Sequence, residues 1–567
     1  MATEKEIRHF RRRLAALEEE RKRGWEPHWR SLAANFMPRR ARFLDAGEET
    51  NRGDRRNYLW DMAGILARRT LSAGMQTGLT SPARPWFSLT LQNEDLAQLE
   101  NVKLWLHFVY ERMVNVFAQS NFYDQVHLLY DELGTFGTGV LLIEEDDENT
   151  IRCRTLTVGE YCLDVNSSGR VDSLYRRVRM TARQVLEAWP ETCPERIKKM
   201  AENDNPEWLE VLHVVEPRKV GRTGRRDGAA RPFRSVYLTL DGRPDEVLED
   251  SGYYEFPALC PRWNTTASDV YGTSPAMDAL GDCLTLQSLA RDGLLALEKE
   301  VTPPLLALAS AGLTRLSLNP GAVNYANAMS QGGSLPAVTP LLQVRANLAA
   351  LEQYKAQIKD QIGRMFFNDL FLLMAGSNKN MTATEVAERN AEKMLMLGPV
   401  LDRLRSELFQ PLIERVFGIM WRRGDIPEPP PEMVEAGAGL SIEFISILAQ
   451  AQKQAGLAGI NNTVMFAGSA AQFHPEILDK INFDEALDEV AAMNGMPPNL
   501  LRSDEEVAQI RQQRAEQMQQ QQQMAQMAQM AQLAQAGAGA AKDAGLTPEA
   551  MAKTQALAED GNNATLQ

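Results

Sequence analysis

Ala375-Gly376-Ser377-Asn378-Lys379-Asn380 is a short polar break between two long amphipathic patterns. Before the break, apolar residues recur at helical spacing from Leu348 to Asp369. After it, Thr382 and Glu385 form a predicted capping box, and the apolar stripe then continues to Met420. At about 1.5 Å per residue, this second helix would reach roughly 60 Å. An element of that length suits a protein that spans a large assembly.

Two prolines, Pro399 and Pro411, lie inside the second pattern. Each removes an intrahelical hydrogen bond and crowds the preceding turn. We therefore predict a long helix with kinks at both prolines, the first made easier by Gly398. The alternative is two or three separate helices joined at the prolines.

Length and composition limit the protein class. At 567 residues the chain is too long for one compact core, so several domains are expected. The sequence contains no run of about eighteen apolar residues, so no membrane span is indicated. Met1–Glu6 lacks the apolar core of a signal peptide. The five cysteines are scattered without a CxxC pair, which indicates a reducing compartment and no disulfide framework. The six histidines have no metal-binding spacing, so neither a metal nor another cofactor is expected.

The net charge of −14 is unevenly distributed. From Gly424 onward there are 19 acidic and 7 basic residues, whereas the first sixty residues carry 15 basic and 10 acidic ones. An acidic surface repels the phosphates of DNA and therefore does not bind DNA tightly. Two basic segments, Arg11–Arg13 and Arg218–Arg234, fit either a nucleic-acid contact or a solvated surface, and we favour the solvated surface for both.

The first half predicts an α+β organisation. Residues 4–36 have a helical and highly charged pattern, and short β-rich segments recur from Ile151 to Trp263. Gly134–Gly139 comes after a predicted helix and opens a strand, so a tight turn is favoured over a phosphate-binding loop. Ser274 and Pro275 have the residue types of an N-cap and a first helical position.

The C-terminal part predicts further helices. Short helices are expected around 444–454, 463–471 and 483–493. Val507–Gln535 is rich in Gln, Met and Ala and has high helix propensity but little apolar face. It predicts either a helix covered by neighbours in an oligomer or a low-complexity disordered tail. Beyond Gly537 we expect disorder.

No catalytic motif stands out. The sequence has no Walker A motif and no GxSxG elbow, and its adjacent carboxylates are typical of solvated surface. We therefore predict no enzymatic activity.

The order of elements resembles that of the head-to-tail connector, or portal, proteins of short-tailed bacteriophages. The resemblance extends to about residue 535. The residues that carry it are Val270-Tyr271-Gly272-Thr273-Ser274-Pro275, Met381-Thr382-Ala383-Thr384-Glu385-Val386, the turn Gly134–Gly139 and the Gln/Met-rich run.

The resemblance implies a mainly helical α+β chain with portal-type wing, stem, clip, crown and C-terminal helical barrel, assembled as a ring. By it, residues 1–272 form the wing, 273–302 the first stem helix, 303–340 the clip, 341–372 the second stem helix, 373–381 the channel loop, 382–423 a long kinked wing helix, 424–502 the crown, 503–535 the barrel helix and 536–567 a disordered tail.

The resemblance also implies two functional surfaces. The residues expected to face DNA in the channel loop are Gly376, Ser377, Asn378, Lys379 and Asn380. The expected docking surface of the clip comprises Leu313, Arg315, Asn319, Asn324, Tyr325 and Asn327. Lys379 would meet phosphates without reading bases, while an acidic crown and barrel would keep the duplex mobile. The alternative for the loop is a simple turn between helices.

The expected partners come from the same resemblance. They are further copies of the chain, forming a dodecamer, together with double-stranded DNA, terminase, tail adaptor proteins, and the major capsid and scaffolding proteins. The protein would be made in the host bacterial cytoplasm and reside at the portal vertex of the virion, without a membrane. One alternative is another oligomeric virion protein, such as a tail tube or internal core component. Another is a nuclease or ATPase subunit of a DNA-handling complex.

Overall fold

A computed structural model describes most of the chain. The described residues are 3–38, 59–91, 93, 96, 99–203, 208–218, 231–240, 246–266, 269–303, 305–307, 338–340, 347–375, 397–436, 440–444, 459–460, 462–471, 474, 476, 480–493, 502 and 504–543. The chain divides into two compact units, Met1–Lys480 and Ile481–Gln567.

The first unit combines many helices with antiparallel sheets. Its helices are α1 (Glu4–Gly24), α2 (Glu26–Phe36), α3 (Ala63–Leu79), α4 (Glu100–Gln119), α5 (Phe122–Phe136), α6 (Ala182–Ala188), α7 (Glu195–Glu202), α8 (Pro275–Val301), α9 (Leu348–Met365), α10 (Asn368–Ala375), α11 (Gly398–Leu404), α12 (Gln410–Arg423) and α13 (Pro431–Ala436). A π-turn, Arg405–Phe409, joins α11 to α12. Residues 462–470 are also helical.

The described strands of the first unit form four antiparallel sheets. They are β1 (Phe87–Leu91), β2 (Val140–Asp146), β3 (Thr150–Leu156), β4 (Tyr161–Val165), β5 (Val171–Thr181), β6 (Trp208–Pro217), β7 (Phe233–Thr239), β8 (Val247–Tyr253), β9 (Ala258–Leu259), β10 (Leu305–Ala307), β11 (Val338–Pro340) and β12 (Leu440–Phe444). The described sheets have the orders β1-β12, β10-β11, β3-β2-β9 and β4-β5-β6-β7-β8. The mixed, mainly helical fold is therefore confirmed.

The N-terminal helix covers the five-stranded sheet. Phe10, Leu14 and Leu17 recur at helical spacing on α1 and pack against strand residues such as Leu212 and Val236. The prediction that residues 4–36 are helical is confirmed, although the segment forms two helices, since α1 ends before Trp25 and α2 begins after it. Pro27 explains the break, since it has no N–H with which to continue the helix of α1.

Helices α8 and α9 form an antiparallel hairpin that extends from the main core. Gly293, late in α8, lies against Leu351, early in α9, while Gln287 and Lys359 both bond to Asp61. Near its base, α8 buries Ala276, Ala279, Cys283, Leu286 and Ala290 at helical spacing. Beyond the hairpin, β10 and β11 pair and bring the ends of the insertion together.

The returning helix of the hairpin is shorter than expected. The apolar pattern that runs to Asp369 predicted one helix, but α9 ends at Met365 and α10 begins at Asn368. Phe367 between them has a φ of 55°, a left-handed conformation that is rare outside glycine. Its ring lies 6.0 Å from that of Trp263, so a tertiary contact accompanies the break.

Strand β12 was not anticipated, because the sequence predicted only helices after Gly424. It pairs with β1, with Phe87 opposite Phe444 and Leu91 opposite Leu440. The segment Leu440-Ser441-Ile442-Glu443-Phe444 does alternate apolar and polar residues, the period of a strand with one buried face. This alternation was the available signal.

The second unit contains α14 (Phe483–Met493) and α15 (Asp504–Asp543). Two hydrogen bonds of 2.7 Å join the guanidinium of Arg511 on α15 to the carboxylate of Asp484 on α14. The expectation of disorder from residue 536 is wrong for residues 536–543, which are helical. Residues 517–541 carry no charge, so an acidic barrel is not supported over that part of α15.

Candidate functional site at the root of the helical hairpin

Most of the predicted site residues lie outside the described residues. This applies to the channel-loop residues Gly376, Ser377, Asn378, Lys379 and Asn380, to the cap residues Thr382 and Glu385, and to the clip residues Leu313, Arg315, Asn319, Asn324, Tyr325 and Asn327. Pro399 lies in the first turn of α11, where a missing N–H costs little. Pro411 lies at the start of α12. Kinks of the helix axis at these prolines stay a prediction.

Two glycine-containing motifs that lie far apart in sequence meet where the hairpin leaves the core. Gly137 ends α5 in a left-handed conformation with a φ of 75°, as expected for a turn between a helix and a strand. A Cβ atom on Gly137 would lie 2.3 Å from the carbonyl oxygen of Gly272. The absence of a side chain therefore lets the two backbones touch.

Hydrogen bonds hold the two backbones together. The Oγ atom of Ser274 donates to the carbonyl oxygen of Thr135 at 2.7 Å, and the N–H of Gly272 donates to Oγ1 of Thr138 at 2.8 Å. Ser274 also accepts a hydrogen bond from the N–H of Met277, so its predicted role as N-cap of α8 is confirmed. The first turn of α8 is thus bonded directly to the end of α5.

Tyr271 fixes the segment before α8 to the sheet and to the N-terminal helices. Its Oη atom accepts a hydrogen bond of 3.1 Å from the N–H of Leu163 on β4. Its ring packs edge-on against Trp29 at 5.0 Å and lies 5.7 Å from Trp25. Burial raises the pKa of Tyr271, so the phenol stays neutral and keeps its polar contact.

The π-turn lies directly before Pro411. Within it, the N–H of Gln410 donates to the carbonyl oxygen of Arg405, five residues back. Proline has no N–H, and in a regular helix its ring would crowd the carbonyl group of the residue four positions earlier, here Glu407. The wider π-turn relieves that crowding and lets the helix continue into α12.

Glu407 on the π-turn binds Arg262, which precedes the hairpin. Its Oε2 atom accepts from the backbone N–H of Arg262 at 2.9 Å and from Nε at 3.2 Å, and its Oε1 atom accepts from Nη2 at 2.5 Å. Arg262 is 5% exposed. A charge pair so enclosed depends on complete hydrogen bonding, which this geometry provides. Sequence reasoning missed the pair, because nothing local marks two residues 145 positions apart.

Arginines on α12 also make structural contacts. The guanidinium of Arg415 is buried, donates to the carbonyl oxygen of Ile143 at 3.0 Å and binds the Glu255 carboxylate at 3.2 Å. Burial lowers the pKa of Arg415, while Glu255 opposes that shift. Arg422 binds the same carboxylate at 2.7 Å. These side chains hold α12 on the β2–β3 hairpin and are not directed at a nucleic acid.

The surface of the hairpin carries several exposed apolar side chains. Large side chains with at least two-fifths of their surface exposed are Leu284, Leu294, Leu295, Leu297 and Val301 on α8, and Tyr354 on α9. Exposed apolar side chains that occur this close together are common where protein chains associate. The firmly held root and these exposed side chains are typical of a structural protein.

Comparison of this chain with known sequences identifies the family to which it belongs. The sequence model described as "Bacteriophage head to tail connecting protein" matches residues 8–501. This chain belongs to that family. In the described part of the chain, no helix has both the length and the apolar character needed to cross a membrane.

Two related proteins are similar over nearly their whole length. The portal protein of Salmonella phage epsilon15 is 41% identical over 517 residues, which is 90% of this chain and 91% of that protein. The probable portal protein of Bordetella phage BPP-1 is 38% identical over 517 residues, covering 90% of this chain and 92% of that protein. The expected resemblance to phage portal proteins is confirmed, and the function is that of a phage portal protein.

A solved structure with weaker similarity is the neck of an empty gene transfer agent particle. It has a TM-score of 0.36 and 13% identity, and the match covers 71% of this chain and 86% of that one. A similarity of this size does not by itself establish a shared arrangement of elements.

Proposed function

We propose that copies of this chain form a ring at one vertex of a phage capsid, with a central channel through which double-stranded DNA enters and leaves the head. The observation that carries the proposal is the 41% identity to the epsilon15 portal protein over 90% of the chain. The exposed leucines of the α8–α9 hairpin support it, because neighbouring copies in a ring would cover them. These leucines are already about half buried in the subunit, so covering the rest of each would contribute about 1 kcal/mol before the cost of association.

In this proposal the hairpin is the stem and its neighbours are the other portal regions. Residues 1–272 and 382–423 form the wing, 303–340 the clip, 373–381 the channel loop, 424–502 the crown and 503–535 the barrel helix. The antiparallel pairing of β10 with β11 supports a clip that leaves and rejoins the stem at one place.

DNA contact in the channel would be weak and independent of sequence. Lys379 is the cation among the five proposed loop residues, and a single lysine per copy binds phosphate without base readout. The polar neighbours Ser377, Asn378 and Asn380 add no charge that would retain the duplex. The arginines of α12 are already bound to carboxylates and carbonyl groups, which favours the loop as the place of DNA contact.

The proposed partners are those expected of a protein at the capsid vertex. The ring is a dodecamer that docks terminase during packaging and tail adaptor proteins afterwards, through the clip. Scaffolding and major capsid proteins surround the ring, whose subunits are made in the cytoplasm of the host bacterium.

Electron microscopy of the purified full-length protein tests this proposal. The expected result is a closed ring, dodecameric in views along the axis, with a central hole at least as wide as a DNA duplex. Monomers, or a filament without such a hole, would contradict the conduit in this form. An oligomer with a narrow or closed centre would favour the alternative of another virion structural protein.

A further inference from the structure

We infer that Arg262 is a positioning residue that joins the five-stranded sheet, the entry to α8 and the α11–α12 helix into one body, and so fixes the stem relative to the wing. The description of these regions as stem and wing rests on the proposed portal function, whereas the contacts of Arg262 are observed independently of it. We call Arg262, Glu407, Gly169 and Asp269 the Arg262 cluster.

The guanidinium of Arg262 contacts three separate parts of the chain. Its Nη2 atom donates to the carbonyl oxygen of Gly169 at 2.8 Å, and Nη1 donates to that of Asp269 at 3.3 Å. Nε and Nη2 donate to the carboxylate of Glu407, so Nη2 is shared between Gly169 and Glu407. A planar guanidinium with five N–H groups is suited to such a branched contact, whereas a lysine has one nitrogen with which to make it.

Each contacted part belongs to a different structural region. Gly169 lies in the turn between β4 and β5, so a bond to Gly169 connects Arg262 to the five-stranded sheet. Asp269 lies in the segment that leads into α8. Glu407 belongs to the helix by which the chain continues after the hairpin. The cluster thus connects both ends of the hairpin excursion with the sheet.

A second contact runs parallel to the first. Arg403 on α11 donates from Nη1 to Oγ1 of Thr265, three residues after Arg262. The segment before α8 is therefore held to α11 and to the π-turn at two successive places. A displacement of the segment before α8 would therefore strain both contacts together.

The π-turn is the feature that makes the Glu407 contact specific. A π-turn adds one residue to a helical turn and rotates the next helical segment, here α12, by about 100° relative to the preceding one, α11. In this register the side chain of Glu407 meets Arg262, while Leu404, Leu408 and Leu412 are buried in the core. The helix thus buries its leucines in the core and places Glu407 in the Arg262 cluster at the same time.

Hydrogen–deuterium exchange on the purified full-length protein tests the inference. The variant is Glu407→Gln, which keeps the size of the side chain and removes its charge. If Arg262 connects three regions, the backbone amides of 166–170, 262–273 and 398–409 should all exchange about tenfold faster, as expected for the loss of a charged hydrogen bond. The response at 166–170 is decisive, because Glu407 makes no described contact with that turn.

Glu414→Gln is the matched control, since Glu414 lies exposed on α12 and bonds only to Gln410 among the described contacts. It should leave exchange at all three segments unchanged. A faster exchange in Glu407→Gln that is confined to 398–409 would overturn the inference and reduce the pair to a local contact. Equal changes of the three segments in the control would overturn it as well.

Arg262→Lys provides a second variant that keeps the positive charge but not the branched contact. We expect it to loosen 166–170 and 262–273 to the same degree as Glu407→Gln, and unchanged exchange there would also overturn the inference. Electron microscopy of each variant separates the positioning role from the portal proposal. Altered exchange in an oligomer that is not a ring would contradict the portal proposal and leave the positioning role of Arg262 standing.

Discussion

The carbonyl oxygen of Gly272 lies 2.3 Å from where a Cβ atom of Gly137 would be, and the carbonyl oxygen of Gly137 lies 2.4 Å from where a Cβ atom of Gly272 would be. Each glycine thus allows the other's backbone to approach. Because both close contacts involve backbone atoms, no side-chain movement relieves them. The root of the hairpin depends on two residues without side chains.

Gly272→Ala should therefore destabilise the protein. The added methyl group would push the segment before α8 away from α5, and overpacking of this kind costs about 1–3 kcal/mol. Denaturant unfolding followed by circular dichroism at fixed protein concentration measures the change. The control is Gly281→Ala, since a Cβ atom at this position in α8 meets nothing within 4 Å. Alanine there should be neutral or stabilising through helix propensity, and equal stability of the two variants would contradict the close backbone contact.

Leu294→Glu should block ring assembly and leave the fold of the subunit intact. Leu294 is 51% exposed, so the substitution removes little core packing. In a ring, however, it would place an unpaired carboxylate in an apolar interface, which is strongly unfavourable. Sedimentation velocity and electron microscopy measure assembly, and circular dichroism checks the fold. Leu294→Met, which keeps the apolar contact, should assemble normally. Rings of Leu294→Glu in normal yield would remove this face of α8 from the interface.

Lys379→Glu should impair DNA packaging or retention without affecting assembly. The substitution replaces the cation of the proposed channel loop with an anion, which would repel phosphates instead of attracting them. Complementation of a phage that lacks the gene, with quantification of packaged DNA, measures the effect. Lys379→Arg is the charge-preserving control. Unchanged packaging and retention in Lys379→Glu would take the loop out of the mechanism.

The carboxylate of Glu6 should make stability depend on pH in the acidic range. Its backbone hydrogen bond from Thr3, and then its contact with Arg234, lower the pKa of Glu6 from 4.5 to about 2. Since the folded pKa is the lower one, this stabilisation is fully present above pH 4.5 and is lost as the pH falls towards 2. The side chain is partly exposed, so the contribution should stay below about 1 kcal/mol.

Thermal unfolding of Glu6→Gln and the unmodified protein between neutral pH and pH 2 measures this contribution. The difference in Tm should be constant near neutral pH and shrink as the pH falls from 4.5 towards 2. If the difference in Tm does not vary with pH, the effect of the substitution does not come from the charge of Glu6, and the prediction is wrong.

The sequence predicted local features more reliably than long-range ones. Ser274 as an N-cap and Gly134–Gly139 as a turn depend on the conformational preferences of neighbouring residues. The structure confirms the N-cap and has the helix-to-strand turn at Gly137–Gly139, because α5 continues through Phe136. The helix break at Phe367 was missed, and the ring of Phe367 lies close to that of the distant Trp263. Periodicity does not record such contacts, so it overestimated the length of the helix that begins at Leu348.

The root of the hairpin shows the same limit. Its two glycine motifs were recognised separately from local sequence, but their mutual contact depends on the folded core. The Arg262–Glu407 pair gave no local signal at all, because its residues meet only after the hairpin has been inserted between them. Pro411 indicated from the sequence that the helix near Glu407 is irregular. A proline alone does not specify whether the irregularity is a kink, a break or a π-turn.

The pairing of β1 with β12 has a consequence for how the chain is made. The partner of Phe87–Leu91 is Leu440–Phe444, so the first strand leaves the ribosome long before the second is synthesised. At typical rates of translation the delay for roughly 350 residues is about 20–70 s. During that time β1 has an unpaired edge, which is prone to pair with other nascent chains. The edge of β1 is therefore covered only after Leu440–Phe444 has been synthesised.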